Sequence, residues 1–155
     1  FKQWKAIDTV NFGMPYGGKF IGVRDNENSG RPLVFSNRGE VEMIEGLAEA
    51  YNAMDVESFM EYFAEEVEFK SYDGKTYNYK KSDLTQAFKP YKSIDWKLLS
   101  IVPLKIYNTD AASGAMVLST ETRVFKNGKK WKKELMELIY FDLEGKISGM
   151  LQFAR

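Results

Sequence analysis

The last part of the chain contains two apolar segments joined by a glycine turn, and one carboxylate, Glu137, falls on their largely apolar face. A carboxylate on a buried strand costs several kcal/mol when it is charged and unpaired, so it must be protonated, paired or functional. In an apolar pocket the pKa of a carboxyl group rises, and the neutral acid can donate a hydrogen bond to a substrate oxygen. Glu137 is therefore the first candidate site residue. The alternative is a core carboxyl that is hydrogen-bonded to Tyr51, Gln152 or Thr120.

The composition restricts the other chemistry that the chain can perform. Histidine and cysteine are both absent. Disulfides, thiolate nucleophiles, serine–histidine triads and the usual zinc sites are thereby excluded. Acid–base chemistry must then use carboxylates, tyrosines or lysines, and the acidic residues lack the spacing of a calcium loop. We therefore predict no metal site and no cofactor.

The charge pattern argues against nucleic acid and membranes as partners. Lysine plus arginine number 22, aspartate plus glutamate also number 22, and the net charge is zero. The one basic cluster, residues 126–133, contains Trp131 and could contact an anionic ligand, but a solvated hairpin tip explains it equally well. No apolar run approaches the ~20 residues that span a bilayer. We therefore expect a soluble protein. It is either cytoplasmic or exported after removal of a leader, since the chain begins with Phe1 and not with methionine.

Helices are the first elements that could position these residues. Asn37 begins the first helix with a capping-box pattern, and an apolar stripe follows it. Asp55 would cap a second helix, whose apolar face extends to Phe63. Ser82 would cap a third helix, which Pro90 ends. We expect these helices to pack against one large surface.

Strands follow the helices. Residues 67–69 are predicted to form a short strand, and four longer strands are predicted at 97–107, 115–126, 129–141 and 146–153. Helices followed by a long-stranded meander indicate an α+β fold and not alternating βαβ units. In residues 1–36, polar and glycine-containing segments separate short apolar runs. Two of these runs, 19–23 and 32–35, could pair as a hairpin. This segment is predicted to be an extension or a lid, and the main domain to be 37–155.

The register of the central hairpin can be counted from the Asn-Gly turn at residues 127–128. Asn-Gly is the preferred two-residue turn between antiparallel strands. With that turn, Leu118 lies opposite Glu137 on the apolar face. Glu121 and Arg123 then lie on the opposite face of the sheet, outside any pocket.

The last strands carry large apolar residues on both faces. The outer face would hold Met136, Leu138 and Tyr140. An antiparallel sheet covered on one side by helices should be polar on the other side. We therefore expect a second buried surface, most simply a homodimer interface.

Two segments resemble the nuclear transport factor 2-like superfamily, which includes SnoaL-like and ketosteroid isomerase-like proteins. They are residues 55–69, Asp-Val-Glu-Ser-Phe-Met-Glu-Tyr-Phe-Ala-Glu-Glu-Val-Glu-Phe, and residues 140–147, Tyr-Phe-Asp-Leu-Glu-Gly-Lys-Ile. The resemblance covers about residues 37–155. It implies a cystatin-like cone, in which a curved antiparallel sheet packs against three N-terminal helices and often encloses a ligand pocket. The superfamily includes isomerases, cyclases, dehydratases, epoxide hydrolases and noncatalytic binding modules, so it implies no single reaction.

The ketosteroid isomerase pattern can be carried onto this chain one residue at a time. It places the oxyanion-hole acid at Glu137. The general-base aspartate falls near Ser71, where it is missing, although Asp73 lies two residues further on. The helix tyrosine falls on Leu47, with Tyr51 one turn away. Of these three catalytic positions, only the one at Glu137 holds a residue of the same chemical type, which argues against that reaction.

Two other mechanisms of the superfamily fit less well. The epoxide-hydrolase arrangement needs an arginine between carboxylates inside the cone. Glu121 and Arg123 have this composition, but the predicted register places both outside. The cyclases and dehydratases that use histidine are excluded in their usual mechanism, because the chain has none.

We therefore predict a dimeric α+β protein that binds a small, largely apolar molecule inside the cone. One alternative is an isomerase, dehydratase or cyclase acting on a carbonyl compound, with Glu137 as acid or oxyanion donor and Tyr51 or Asp73 assisting. Another is a noncatalytic dimeric interaction module. The residues predicted to line the pocket are Leu47, Tyr51, Phe69, Tyr72, Trp96, Leu118, Thr120, Leu135, Glu137, Met150 and Gln152.

Overall fold

The computed structural model of the protein describes residues 33–36, 38–106 and 113–155. Leu33–Arg155 form one compact unit. The predicted hairpin that begins at residues 19–23, the lid and the cap at Asn37 lie outside the described residues. The division of the chain at residue 36 stays a prediction, and Leu33–Phe35 form a strand that pairs within this unit.

Two α-helices and one 3-10 helix are described. Helix α1 covers Arg38–Ala53, α2 covers Val56–Met60, and the 3-10 helix covers Lys81–Gln86. Asp55 caps α2 as predicted, because its Oδ1 accepts a hydrogen bond from the backbone N–H of Ser58 at 3.2 Å. The third helix begins one residue before its predicted cap, Ser82. The placement of Phe63 on the second helix is wrong, since α2 ends at Met60 and Phe63 begins a strand.

Seven strands form one sheet within the described residues. They are β1 (Leu33–Phe35), β2 (Phe63–Lys70), β3 (Thr76–Lys80), β4 (Tyr91–Ile106), β5 (Ser113–Phe125), β6 (Lys130–Phe141) and β7 (Ile147–Ala154). Their order across the sheet is β1-β4-β5-β6-β7-β2-β3. The pairing of β2 with β7 is parallel, and all other pairs are antiparallel. The α+β class is confirmed, with a mixed sheet in place of the predicted antiparallel one.

The register of the β5–β6 hairpin differs from the prediction by one residue. Val117, and not Leu118, lies opposite Glu137. The loop has three residues instead of two. The N–H of Phe125 donates to the carbonyl of Lys129 at 2.8 Å, and the N–H of Gly128 donates to the carbonyl of Phe125 at 2.9 Å. Gly128 has φ +85°, the left-handed conformation that three-residue hairpin loops place before a bulge.

A slip of one residue moves every side chain of a strand to the other face. The face of β5 that carries Val117, Ser119 and Glu121 is therefore the inner face, which packs on the helices, and all three side chains are at most 2% exposed. Leu118 lies on the outer face and is 39% exposed. The prediction that Glu121 and Arg123 point away from the pocket is wrong for this reason.

The hydrophobic core lies between α1 and the inner face of the sheet. Ile44 from α1 packs in one buried cluster with Val117, Ile139 and Ile147 from three strands, and these four side chains are fully buried. Apolar burial of this kind contributes about 1.5–3 kcal/mol for each large aliphatic side chain. Within the described residues, no helix is long and apolar enough to cross a membrane.

Candidate functional site

A cavity of about 150 Å³ lies between the helices and the inner face of the sheet. It is lined by Leu47, Tyr51, Phe59, Phe63, Val67, Phe69, Tyr79, Leu84, Trp96, Glu121, Arg123, Glu137, Met150 and Gln152. The lining is mostly apolar and aromatic, with a few polar groups. A cavity of this volume holds about one benzene-sized ring. Tyr79 is the one exposed side chain of this lining, at 36%, which indicates that the open side of the cavity lies next to it.

One polar group in the cavity is a buried ion pair between two residues of β5. The Nε of Arg123 donates to Oε1 of Glu121 at 2.6 Å, and its Nη2 donates to Oε2 at 2.8 Å. Tyr51 from α1 donates its hydroxyl to Oε1 of Glu121 at 2.7 Å. Glu121 is 2% exposed and therefore depends on these donors. A bidentate arginine contact favours the ionised carboxylate.

The pKa values of the partners of Glu121 follow from this arrangement. Burial raises the pKa of Tyr51 well above its usual value. The nearby positive charge of Arg123 lowers this pKa, but by less. Burial alone would lower the pKa of Arg123, but the hydrogen bonds with Glu121 raise it above its usual value. Both groups therefore keep their protons across the physiological range.

Glu137 on β6 is the second buried carboxyl group of the cavity, with an exposure of 3%. Its Oε1 accepts a hydrogen bond from Nε2 of Gln152 at 2.9 Å. Its Oε2 has only a long contact of 3.5 Å with the hydroxyl of Ser119, which itself accepts a hydrogen bond from Nε1 of Trp96 at 2.8 Å. One oxygen of Glu137 is thus well paired, and the other is weakly paired.

The pKa of Glu137 is raised from 4.5 to about 7. Burial is the largest cause, and the negative charge of Glu121 adds to it, whereas the hydrogen bond from Gln152 lowers the pKa. At neutral pH the carboxyl group of Glu137 is therefore close to half protonated. A carboxyl group whose pKa lies near the working pH can serve as a general acid or base.

Solved structures identify the fold. A protein with a cystatin-like fold from Caulobacter vibrioides matches with a TM-score of 0.61 and 16% identity, over 74% of this chain and 86% of its own. An NTF2-like protein of unknown function from Exiguobacterium matches with a TM-score of 0.56 and 12% identity, over 73% and 98%. A ketosteroid isomerase-like protein from Kribbella flavida matches with a TM-score of 0.55 and 12% identity, over 78% and 81%. This chain has the NTF2-like fold.

The identities in these NTF2-like matches are too low to carry a function across, so they show the fold alone. No family model matches the sequence, and no curated protein matches it. Among the residues that the structure describes, no group of three or more carboxylates is arranged to hold a metal ion.

Seven of the predicted pocket residues line the cavity of this NTF2-like chain. They are Leu47, Tyr51, Phe69, Trp96, Glu137, Met150 and Gln152. They come from α1, β2, β4, β6 and β7, which the fold brings around one interior. Tyr51 was one of the expected hydrogen-bond partners of Glu137, but its hydroxyl donates to Glu121 instead.

Four predicted pocket residues lie elsewhere. Leu118 and Thr120 are on the outer face, because the hairpin register differs by one residue. Leu135 is buried, but it lines a groove at the outer face and not the cavity. Tyr72 is 44% exposed and contacts the indole ring of Trp131, with the ring centroids 6.2 Å apart.

Asp73, predicted as an assisting base, is a turn residue. Its Oδ1 accepts a hydrogen bond from the backbone N–H of Lys75 at 3.2 Å, and its Oδ2 is 3.0 Å from the Lys75 ammonium. These contacts hold the pKa of Asp73 below its usual value. Asp73 does not line the cavity.

Sequence reasoning missed the ion pair of Glu121 and Arg123 as part of the site. The signal was present, since two charged residues at positions i and i+2 of one strand share a face. The count from the Asn-Gly turn assumed a loop of two residues, and this placed both side chains on the wrong face. Five apolar lining residues were also missed: Phe59, Phe63, Val67, Tyr79 and Leu84.

Proposed function

We propose that this protein binds a small, largely apolar molecule in the cavity, through one polar oxygen of the ligand that accepts a hydrogen bond from Glu137. The observation that carries the proposal is an apolar cavity of about 150 Å³ with the weakly paired Oε2 of Glu137 in its wall. Ligand pockets commonly combine apolar walls with a few placed polar groups. A cavity that reaches Glu137 supports a ligand over an interaction module with a filled interior.

The protonation of Glu137 decides what the ligand can be. With a pKa of about 7, the group is mostly a neutral acid below that pH and a donor to a carbonyl or ether oxygen. The guanidinium group of Arg123 is already engaged, since Nε and Nη2 are bonded to Glu121 and Nη1 contacts the hydroxyl of Tyr91 at 3.5 Å. A carboxylate ligand is disfavoured, because it would be buried beside the carboxyl groups of Glu121 and Glu137.

Acetophenone and ethylbenzene form a matched pair for testing this proposal. They have similar shape and a single ring, and they differ in the carbonyl oxygen. NMR titration of the wild-type protein should show tighter binding of acetophenone at pH values below about 7, with the preference lost above it as Glu137 ionises. Glu137→Gln should remove the pH dependence. Glu42→Gln is the control, because Glu42 lies in an exposed ion pair with Arg38 on α1.

Two results of the titration would contradict the proposal. One is binding of neither probe at the resonances of the residues that line the cavity. The other is an equal affinity for both probes at every pH, which would remove Glu137 from recognition.

A second candidate function is an acid–base enzyme acting on a carbonyl compound, as an isomerase, dehydratase or cyclase. The observation that favours it is the pair of unlike carboxyl groups, with Glu121 bound to Arg123 and Glu137 near its midpoint at neutral pH. The hairpin register that argued against an epoxide-hydrolase arrangement is wrong, because Arg123 lines the cavity together with Glu121, to which it is bound, and Glu137. Epoxides therefore belong among the substrates to test.

Exchange of α-protons for deuterium is a direct test of the enzymatic candidate. A panel of small ketones is incubated with the protein in deuterated buffer, and the exchange is followed by NMR. General acid–base groups contribute roughly 100-fold or more to rates, so Glu137→Gln should reduce the exchange by at least that factor. If the wild-type protein catalyses neither the exchange nor the opening of epoxides, the enzymatic candidate is contradicted and ligand binding remains.

We also propose that the protein forms a homodimer through the outer face of the sheet. This face exposes Leu99, Leu118, Tyr140 and Phe153 at 67%, 39%, 47% and 46%. A groove of about 440 Å³ lies on this face, and Leu99, Leu118, Met136 and Phe153 are among the residues that line it. Contiguous apolar surface of this kind is typical of an interface.

A further inference from the structure

Four aromatic side chains and one lysine lie around the open side of the cavity. We call them the aromatic rim, and they are Tyr72, Tyr77, Tyr79, Trp131 and Lys133. Three of them are substantially exposed, with 44% for Tyr72 and 36% for both Tyr77 and Tyr79. Nothing in the proposed function uses them, apart from Tyr79 as part of the cavity wall.

One side of the rim continues the cavity wall along the edge strand β3. Tyr79 lines the cavity, and its ring is stacked on Tyr77 with a centroid distance of 5.9 Å and an angle of 12°. Phe69 also lines the cavity, and its ring stacks on Tyr77 at 6.3 Å. These rings form a continuous aromatic surface from the interior to solvent.

The other side of the rim begins at Arg123. The guanidinium group of Arg123, which lines the cavity, lies 4.5 Å from the centroid of the Trp131 ring. Nε1 of Trp131 donates a hydrogen bond to the hydroxyl of Tyr72 at 3.3 Å. This bond and the ring contact keep Tyr72 at the mouth, although it does not line the interior.

Lys133 gives the rim a positive charge. Its ammonium group lies 5.9 Å from the centroid of the Tyr72 ring. Lys133 is on the same face of β6 as Trp131 and Glu137, because side chains alternate along a strand. Among the described residues Lys133 makes no ion pair, whereas the charge of Arg123 is neutralised by Glu121. Lys133 is therefore the rim cation that is available to an anion.

We propose that the aromatic rim is a second subsite, which binds the outer part of an elongated amphiphile with one anionic group at its exposed end. The inference rests on the proposed function, since the cavity takes only about one ring and a longer ligand must continue past the mouth. The apolar continuation packs on Tyr72, Tyr77 and Tyr79. The anionic end pairs with Lys133.

Two fluorescent probes that differ in one group test this subsite. They are 1-anilinonaphthalene-8-sulfonate and its neutral counterpart N-phenyl-1-naphthylamine. The wild-type protein should bind the sulfonate more tightly, by roughly fivefold for one partly exposed ion pair. Added salt should reduce this preference and leave the affinity for the neutral probe unchanged.

The matched variants are Lys133→Gln and Lys132→Gln. Both remove one positive charge from neighbouring positions of β6, but Lys132 lies on the outer face, opposite Thr122. Lys133→Gln should bring the ratio of the two dissociation constants close to one, and Lys132→Gln should leave it at the wild-type value. An unchanged ratio in Lys133→Gln, or an equal loss in both variants, would overturn the inference.

A third variant separates failure of this inference from failure of the proposed function. Leu84 lines the cavity and is partly buried, so Leu84→Trp should fill space near the mouth without disrupting the core. We expect it to weaken both probes. If it weakens neither, the probes do not use the cavity, and both proposals are contradicted. If it weakens both while Lys133→Gln leaves the ratio unchanged, only the rim subsite is contradicted.

Discussion

The guanidinium group of Arg123 is bound to the carboxylate of Glu121 by two hydrogen bonds, of 2.6 and 2.8 Å, inside the cavity. The Glu121 side chain is 2% exposed and that of Arg123 is 25% exposed. Removal of one partner of such a pair leaves a buried charge without compensation. The ion pair of Glu121 and Arg123 therefore stabilises the fold and is also part of the candidate site.

Arg123→Met should lower the free energy of unfolding by about 3 kcal/mol or more, because Glu121 would keep only the hydrogen bond from Tyr51. Urea denaturation measures this change. Arg38→Met is the control, since Arg38 binds Glu42 at the surface of α1, with side chains 81% and 64% exposed. A surface ion pair contributes about 0–1 kcal/mol. Equal losses in the two variants would contradict the buried role of Arg123.

Glu137 should make the stability of the protein depend on pH. The pKa of Glu137 is about 7 in the folded protein, whereas the reference value is 4.5. Between pH 4.5 and 7, the folded protein therefore keeps a proton on Glu137 that the unfolded chain has released. The stabilising contribution is therefore complete below pH 4.5 and is lost as the pH rises to about 7. The total loss is about 3 kcal/mol.

Denaturation of the wild-type protein and of Glu137→Gln across this pH range tests the prediction. The glutamine variant should lack the decline and should exceed the wild-type protein in stability above pH 7. Its amide oxygen can still accept the hydrogen bond from Gln152. Parallel curves for the two proteins would show that Glu137 does not titrate in this range.

Engineered cysteines can test the register of the β5–β6 hairpin, because the chain has no cysteine of its own. Thr122 is the Cα partner of Lys132 in the structure, whereas the two-residue turn would pair it with Lys133. The double variant Thr122→Cys with Lys132→Cys should form a disulfide on mild oxidation, since directly opposed Cα atoms lie within the ~4.4–6.8 Å that the bond requires.

The matched control is Thr122→Cys with Lys133→Cys. Here the second cysteine points to the inner face, and we expect no cross-link. Titration of free thiols after oxidation gives the result for both variants. Faster cross-linking of the control would contradict the register in the structure and support the one that places Glu121 and Arg123 outside the cavity.

The outer-face dimer is tested by light scattering coupled to gel filtration. The wild-type protein should have twice the mass of one chain, and Leu118→Asp should convert it to a monomer, because a charge would be buried in the interface. Leu143→Asp is the control, since Leu143 is 73% exposed in the turn before β7. A monomeric wild-type protein, or an equal effect of the two variants, would contradict this interface.

The elements were largely predictable from local sequence. The Asp55 cap and three of the long strands agree with the structure within two residues, because capping chemistry and apolar periodicity act over short distances. The fourth, β4, begins at Tyr91, six residues before its predicted start at residue 97. Strand β3, Thr76–Lys80, was missed. All five of its residues are exposed at the edge of the sheet, so the strand carries no pattern of burial for the sequence to display.

Glu137 as a buried carboxyl group in a cavity was also predictable, since its apolar neighbours on β6 are visible in the sequence. The partners of Glu137 were only partly predictable. Gln152 was among the expected hydrogen-bond partners, and it donates to Oε1. Tyr51 was expected there as well, but it binds Glu121.

The sequence by itself determined the α+β class, the succession of the helices and the long strands, and the carboxyl group in the core, because these follow from composition and from periods of two and 3.6 residues. Only the tertiary structure decided which face of β5 meets that carboxyl group. An Asn-Gly pair is compatible with hairpin loops of two or three residues, and these loops differ by one position in register. That single position places Glu121 and Arg123 beside Glu137 and so determines the chemistry of the cavity.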